Sequence, residues 1–387
     1  MQARICWRAV FLRPTKTQMS IVDDIQEIQN MQRSKLEVLR NTPSPIILFG
    51  TGVYAYVLKR FLEASGITIT HVMVDAEYKT TEIFLGVKVS TTDELAGLLA
   101  GAHIVVGITN HPVATAALRK RGAGEIYVID IPDYLNMPHP FMDMAFVRAH
   151  LKEFDNARSV FSDDLSRHTY TALINAKINE DVEFLTPYVR PDSIYFPQSE
   201  FQLRDDEVFL DVGGYTGDTV KEFHRVTSGH YKQIISLEPS EANFTELVTA
   251  ISRLDKDRIT AHRVGAWDER ATLRFATKEM HIDNQISNDG DQSIEADTID
   301  SIIGDTGPKI TLMKLDINGA EFRALKGAVK TIKRCRPRII SRLHTKEDFY
   351  RTPLLLRSIS PSVRIFLRQR SYFSVMAILY AEFDSLL

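Results

Sequence analysis

The fold of this chain is most constrained by a pattern that occurs twice: short apolar runs alternating with stretches of helical periodicity. Ile46–Phe49, Ile67–Val74, His103–Ile108 and Glu125–Ile129 read as short strands, with helical spacing at Tyr54–Ala64, Thr92–Leu99 and Pro112–Lys120. The alternation resumes at Glu207, with strands at Val208–Val212, Gln233–Glu238, Ile259–Val264, Ile310–Asp316, Arg338–Leu343, Val363–Leu367 and Val375–Tyr380. Helices fit between them at Asp218–Val226, Glu241–Leu254, Glu321–Lys333 and Lys346–Ile359. Strands joined through helices make parallel sheets covered on both faces, so two α/β units are expected. The last two strands break the rule. Only RQRSYFS lies between them, too short for a crossover, so they are expected to form an antiparallel hairpin at one edge of an otherwise parallel sheet.

A length of 387 residues, against ~100–200 per domain, agrees with two units and connecting structure. Ser20–Arg40 has amphipathic helical spacing and is stopped by NTPSP at Asn41–Pro45. The expected division is a tail and helix over 1–42, a Rossmann-like module of nucleotide-binding type over 43–132, a mostly helical connector over 133–200, and the larger α/β domain over 201–387. The opening MQARICWRAVFLRPTKTQMS carries Arg4, Arg8, Arg13 and Lys16 around a short apolar patch. Arg8 interrupts that patch and no small-residue cleavage site follows, so it reads as a tail, with Met19 an alternative start.

Charge limits the partners. Lys plus Arg number 47 and Asp plus Glu 50, a formal charge of −3, so no global field draws the chain to nucleic acid or anionic lipid, and no basic stripe with interleaved aromatics stands out. A small-molecule partner is expected. No segment approaches the ~18 uninterrupted apolar residues of a membrane span. Cys6 and Cys335 are too few for a disulfide framework, which fits a reducing compartment and a cytoplasmic address.

In open parallel sheets ligands sit beyond the carboxyl ends of the strands, where glycines let the backbone approach and helix N-termini offer unpaired N–H groups. FLDVGGYTGDT has that layout, with Asp211, Gly213, Gly214, Tyr215, Gly217 and Asp218 following an apolar run. Glu238 ends the next strand about 20 residues past Gly217, the separation at which a carboxylate reaches ribose hydroxyls; the alternative is that it only caps the helix that follows. VGAWDE places Ala266 and Trp267 where a flat adenine would lie against backbone and indole. LMKLDINGAEFRALKGA puts Asp316, Asn318 and Glu321 at a strand end and helix start, where Asn318 as a helix cap and Glu321 as a first-turn acid are the plainer readings. His344 in IISRLHT comes to the same rim.

A plain dinucleotide fold continues strand–helix–strand to its end, whereas class I methyltransferases, which use S-adenosylmethionine, close their sheet with a hairpin. The successive stretches FLDVGGYTGDT, SLEPSEANFTEL, VGAWDERATLRF, DTIDSII, KLDINGAEFRALKGA, RLHTKEDFYRTPLLL and LRQRSYFSVMAILYA resemble the motifs of FkbM-type methyltransferases, in order, from about Phe196 to Leu379. The resemblance implies a class I methyltransferase sheet with a terminal antiparallel hairpin. It further implies S-adenosylmethionine held by Asp211–Asp218, Glu238 and the Ala266–Trp267 turn, and methyl transfer to a hydroxyl of a sugar or similar small metabolite. Asn318 departs from the family, which has an acid there. His344 is the first candidate for general base, with Asp316 and Glu321 next. No metal is assigned, although Asp316, Glu321 and His344 have the chemistry of a divalent-ion site.

IILFGTGVYA reads G-x-G-x-x-A through Gly50, Gly52 and Ala55, and Asp75 follows about 20 residues later, as in a dinucleotide fingerprint. Three uses stay open for this module: binding a nucleotide-linked sugar or NAD-type ligand, contacts between subunits of a homo-oligomer, or an unliganded scaffold. The alternatives for the whole chain are an NAD(P)-linked oxidoreductase or sugar-nucleotide-binding protein run from the Gly50 turn, and a cofactor fold without turnover.

Overall fold

The computed structural model describes residues 20–26, 31–130, 142–179, 181–197, 202–255, 257–276, 285–286 and 292–384. Two α/β sheets carry the chain. The first has six strands in the spatial order Ile83–Phe84, Val87–Thr91, His71–Val74, Ile46–Phe49, His103–Val106, Glu125–Tyr127, all parallel except the first pair. The small antiparallel pair was not legible in the sequence, and Thr92–Leu99 is replaced by a single 3₁₀ segment at Ala96–Gly101.

The expected single helix over Ser20–Arg40 is two pieces, Ile21–Asp24 and Met31–Asn41. Tertiary contacts break it. The Asp155 carboxylate accepts from Ile21 N at 2.6 Å and Ser20 Oγ at 3.0 Å, and Asn175 accepts from Gln26 N at 2.7 Å, so the first turn is tied to the connector. Leu39 of the second piece is instead buried in the core of the first sheet.

The connector helices Leu151–Ser159 and Asp164–Asn179 are part of the larger core. Phe154, Tyr170 and Leu173 are fully buried in one cluster with Leu210, Met313 and Ile339 of the second sheet. The start of the expected connector, residues 133–141, lies outside the described residues.

The second sheet has seven strands in the order Arg364–Gln369, Ala377–Glu382, Arg338–Arg342, Leu312–Leu315, Val208–Val212, Gln233–Leu237, Ile259–His262. Ala377–Glu382 runs antiparallel to both of its neighbours, and the remaining pairings are parallel. This is the class I methyltransferase sheet with its terminal hairpin. Beside it stands a four-stranded sheet, Gly265–Trp267, Gln292–Thr298, Ala271–Ala276 and Gln285–Ile286, which periodicity did not reveal. The third strand therefore ends at His262, and Gly265–Trp267 belongs to another sheet. Among the described residues no helix is long and apolar enough to cross a membrane.

Register places one charged pair at the centre. Lys314 lies opposite Asp211, and Asp211 opposite Ser236, on three adjacent strands. Lys314 Nζ is 3.1 Å from Asp211 Oδ1 and donates to Gly213 O at 2.7 Å, while Ser236 Oγ donates to Asp211 Oδ2 at 3.1 Å. Both charges are buried. Burial alone would drive the proton off Lys314, but the charges of Asp211 and Asp316 outweigh it and hold its pKa above the ordinary value. A charge left alone in such a place is costly. Lys314→Met is therefore expected to lose about 3–5 kcal/mol of stability, read as a lower urea midpoint with unchanged slope; a midpoint within error of the parent would refute this role for the pair.

Candidate active site

Beyond the carboxyl ends of the central strands lies a cavity of about 270 Å³. Its first wall is the turn after Val208–Val212. Gly213 has φ +92°, and a Cβ there would fall 2.2 Å from Asp316 O, so no other residue lets these two strand ends meet. Gly213, Tyr215 and Asp218 line the cavity. Tyr215 is itself left-handed at φ +45°, a conformation that a bulky residue holds only when its surroundings dictate it. Gly214 and Gly217 do different work: they let the turn approach Ser236 and Ala250. Asp211 lies beneath the cavity, in the ion pair with Lys314.

Glu238 forms the second wall and is nearly inaccessible. Its carboxylate accepts from Tyr215 N and Ser240 N, each at 2.9 Å, so it both ties the two turns together and starts the Glu241–Ile251 helix. Burial opposes its charge more than these bonds and Asn243 favour it, and its pKa is pushed up to about 7. Val264, Gly265, Ala266 and Ile294 give the cavity an apolar floor. Trp267 is not part of that floor. Its ring lies under the Arg323 guanidinium, 5.0 Å from the centroid, and Arg323 in turn pairs with Asp268, so the indole is spent on the surface of the small sheet.

The third wall is polar. Asp316 lines the cavity and receives the Tyr195 hydroxyl on Oδ2 and Arg342 Nη1 at 3.2–3.3 Å. Burial would raise its pKa, but the charges of Arg342, His344 and Lys314 hold it well below the usual carboxylate range. Asn318, also on the wall, has φ +52°, a region asparagine tolerates better than most residues. It is not the helix cap, because the Glu321–Lys326 helix starts after Ala320.

Glu321 and His344 lie behind this wall. Glu321 is fully buried and accepts from Ile317 N at 2.7 Å, Gly319 N at 2.9 Å and His344 Nδ1 at 2.8 Å. His344 Nε2 points toward Asp316 Oδ1 at 3.5 Å. His344 therefore approaches the cavity only through Asp316 and does not face a bound acceptor as a base would. Burial disfavours a charged ring, yet Glu321, and after it Asp316, outweigh burial and Arg342 and raise its pKa. Asp348, behind Glu321, is pushed up to about 7 by burial and by the Glu321 charge. Donor atoms of Asp316, Glu321 and His344 lie within 4.8 Å of one another, but those of Glu321 are already engaged by two backbone N–H groups and the imidazole.

Sequence reasoning missed Tyr195, Lys314, Arg342 and Asn243. Strand alternation held the signal for two of them, since Lys314 precedes Asp316, and Arg342 precedes His344, by two residues on the same face. Tyr195 carried none: it comes from an irregular segment that only the tertiary fold returns to the sheet. In the first module, Gly50 is wedged against Gly107 O, and Asp75 is taken by Arg121 at 2.5 Å and Thr92 Oγ at 2.8 Å.

The family model of the methyltransferase FkbM domain matches residues 211–373. Over 93% of its length the chain is similar in structure to a methyltransferase FkbM from Methylobacillus flagellatus KT, of which 95% is covered, with a TM-score of 0.65 and 21% identity. More remote similarities include an rRNA methylase from Streptococcus thermophilus, at 13% identity and a TM-score of 0.31, covering 47% of this chain and 90% of that one. Another is a precorrin-6y C5,15-methyltransferase from Geobacter metallireducens GS-15, at 11% identity and a TM-score of 0.31, covering 48% and 85%. No curated protein matches the chain.

The Glu321–His344 contact predicts its own test. Glu321→Gln removes the charge that most favours the imidazolium, so the His344 pKa, followed by its ring resonances in NMR, should fall; an unchanged or higher pKa would mean that Asp316 alone sets it.

Proposed function

We propose that this chain, whose residues 211–373 form a methyltransferase domain of the FkbM family, transfers a methyl group from S-adenosylmethionine to a hydroxyl of a sugar or similar small molecule. Methyltransferases of this fold use that donor, and the residues here fit it. The observation that carries the reading is Glu238, a buried carboxylate on the wall of a cavity that Val264, Gly265, Ala266 and Ile294 also line. A ribose with two hydroxyl donors attached to a flat base matches that pairing.

A bound sulfonium donor supplies a methyl group that is already a good electrophile. The chain then has to hold the acceptor oxygen in line and exclude water. Asp316 suits the first task. It is an ionised carboxylate fixed by Arg342 and Tyr195, and it orients a hydroxyl by accepting its proton in a hydrogen bond. It is a poor proton acceptor outright, because its pKa lies below the ordinary range, and a base far from the working pH contributes little by Brønsted behaviour. Alignment therefore carries most of the acceleration. His344 and Glu321 are positioning residues that keep Asp316 in its orientation. Asn318, in place of the family's acid, reduces negative charge at this rim and suits a neutral acceptor.

The decisive experiment is transfer of labelled methyl from S-adenosylmethionine to a panel of neutral sugars and glycosides, alongside calorimetric titration of the donor. Donor binding with transfer to a hydroxyl is expected; no donor uptake by folded protein would overturn the reading. Asp316→Asn should cost roughly 10²-fold in turnover and leave the donor Kd within about threefold of the parent; a large loss of donor affinity would instead assign Asp316 to the cofactor.

Glu238 gives a pH dependence. Its folded pKa is raised to about 7, so the ionised form that accepts two ribose hydroxyls dominates above pH 7 and is lost below it. Donor affinity should be level above pH 7 and fall toward tenfold per pH unit below it. Glu238→Gln should flatten the profile and weaken binding at pH 8 by about 10–100-fold. A donor Kd that does not vary between pH 5.5 and 8 would remove Glu238 from the ribose.

A further inference from the structure

The first module has the site geometry of a dinucleotide fold. Its strand order reverses between Ile46–Phe49 and His103–Val106, and the crevice beyond their carboxyl ends is flanked by the Gly50–Gly52 turn with the Val53–Ala64 helix and by the start of the His111–Lys120 helix. A planar ligand would lie there.

That crevice holds the turn between the last two strands of the methyltransferase sheet. The Phe373 ring stacks on Tyr54, centroids 3.9 Å apart and planes at 26°. His111 meets Phe373 at 5.3 Å and Tyr372, edge-on, at 5.4 Å. Ser374 donates its hydroxyl to Asp130 Oδ2, and the Tyr54 hydroxyl donates to Ile129 O at 2.8 Å. Phe373, Ser374, His111 and Asp130 are each no more than 2% exposed. An aromatic ring stacked in the crevice, and a hydroxyl on a carboxylate at a strand end, are the contacts a nucleoside would make. On the other side of the fingerprint, Asp75, the expected ribose acceptor, is paired with Arg121 and Thr92.

The residues that lead into the same turn, Gln369 and Arg370, hold the catalytic side. Gln369 O accepts from Arg190 N at 2.9 Å, Arg370 Nη1 donates to Arg190 O at 3.1 Å, and Arg370 Nε donates to Tyr380 Oη at 3.0 Å. Tyr380 in turn donates to Ile194 O, next to Tyr195. The segment that brings Tyr195 to Asp316 is thus fastened to the hairpin whose tip is lodged in the first module.

We propose that the nucleotide-type crevice of the N-terminal module is an intramolecular dock for Tyr372–Ser374, with Phe373 in the place of a base and Ser374 in the place of a sugar hydroxyl. Its function is to brace the terminal hairpin, and with it the wall that carries Tyr195. The N-terminal fingerprint is thereby committed to a segment of this chain rather than to a free nucleotide. This assignment does not depend on the donor or the acceptor of the methyl group.

The test uses the full chain. Titration with NAD⁺ and with UDP-glucose should show no saturable uptake at millimolar concentration, and saturable binding abolished by Tyr54→Ala would overturn the dock. Phe373→Ala should lower Tm by roughly 5 °C or more and resolve one calorimetric transition into two as the modules uncouple. A single transition within 1 °C of the parent would overturn it equally. Should Phe373→Ala not fold, Ser374→Ala, which removes only the Asp130 hydrogen bond, should give a smaller downward shift, and no shift would count against the dock.

Discussion

The site is built over one buried charge pair. Asp211 and Lys314 face each other on neighbouring central strands, with Ser236 on the third, and both side chains are buried. A buried pair is weak evidence of added stability, since apolar residues of similar volume serve as well. Its value here is position. Lys314 also donates to Gly213 O, the turn residue whose missing Cβ lets the first and fourth strand ends meet. It also lies 5.2 Å from the centre of the Tyr195 ring and adds to the field that keeps Asp316 ionised. One ammonium thus touches the turn and the Tyr195 ring and adds, after Arg342 and His344, to the field at Asp316.

Behind that wall Glu321, His344, Asp316 and Arg342 alternate in charge toward the cavity. Asp348 beyond them is a second acid beside Glu321, and burial together with the Glu321 charge pushes its pKa up to about 7. Glu321 is the anchor of the series, because its two oxygens satisfy the backbone N–H groups of Ile317 and Gly319 in the loop that carries Asn318. A single buried carboxylate therefore couples the loop on the cavity rim to the imidazole behind Asp316. Such a network is rigid only when every member is satisfied, and its weak link is His344 Nε2, which is 3.5 Å from Asp316 Oδ1 without a hydrogen bond between them.

Much of this was legible before any coordinates. The apolar runs of VFLDV, QIISL and LMKL are continuous because both faces of those strands are covered, and the short RQRSYFS link left no room for a crossover, so the sheet and its hairpin followed from local pattern. Glu238 and Asp316 reach the cavity because strand ends in a parallel sheet share one rim, whereas Ala266 reaches it from the adjoining four-stranded sheet. What failed depended on contacts between distant segments. Trp267 is drawn away by Arg323, Tyr195 arrives on a loop without periodicity, and the four-stranded sheet is assembled from short runs whose pairing is not local. The glycines of GGYTGDT were read as one ligand-binding group, yet only Gly213 lines the cavity while Gly214 and Gly217 serve the packing of neighbouring elements. Spacing does not tell these uses apart. The fingerprint around Gly50 makes the same point, for its spacing satisfies a nucleotide while Phe373 of the terminal hairpin stacks on Tyr54 beside it.

The two acids on the cavity wall lie in opposite electrostatic environments. Glu238 and Asp316 are both buried carboxylates, and burial pushes each toward the neutral form. Glu238 has backbone N–H groups, Asn243 and the weaker charge effect of Lys314 to oppose that push, and its pKa is left at about 7. Asp316 has Arg342, His344 and Lys314, which hold its pKa below the ordinary carboxylate range. An acid whose charge depends on its ligand suits recognition, because its ionisation is coupled to occupancy. An acid whose charge is fixed suits alignment, because it presents the same acceptor to every substrate that arrives. Environments that separate two like groups in this way are the usual means by which a site assigns them different roles, and here the separation comes from cations supplied by the strands bearing Lys314 and Arg342.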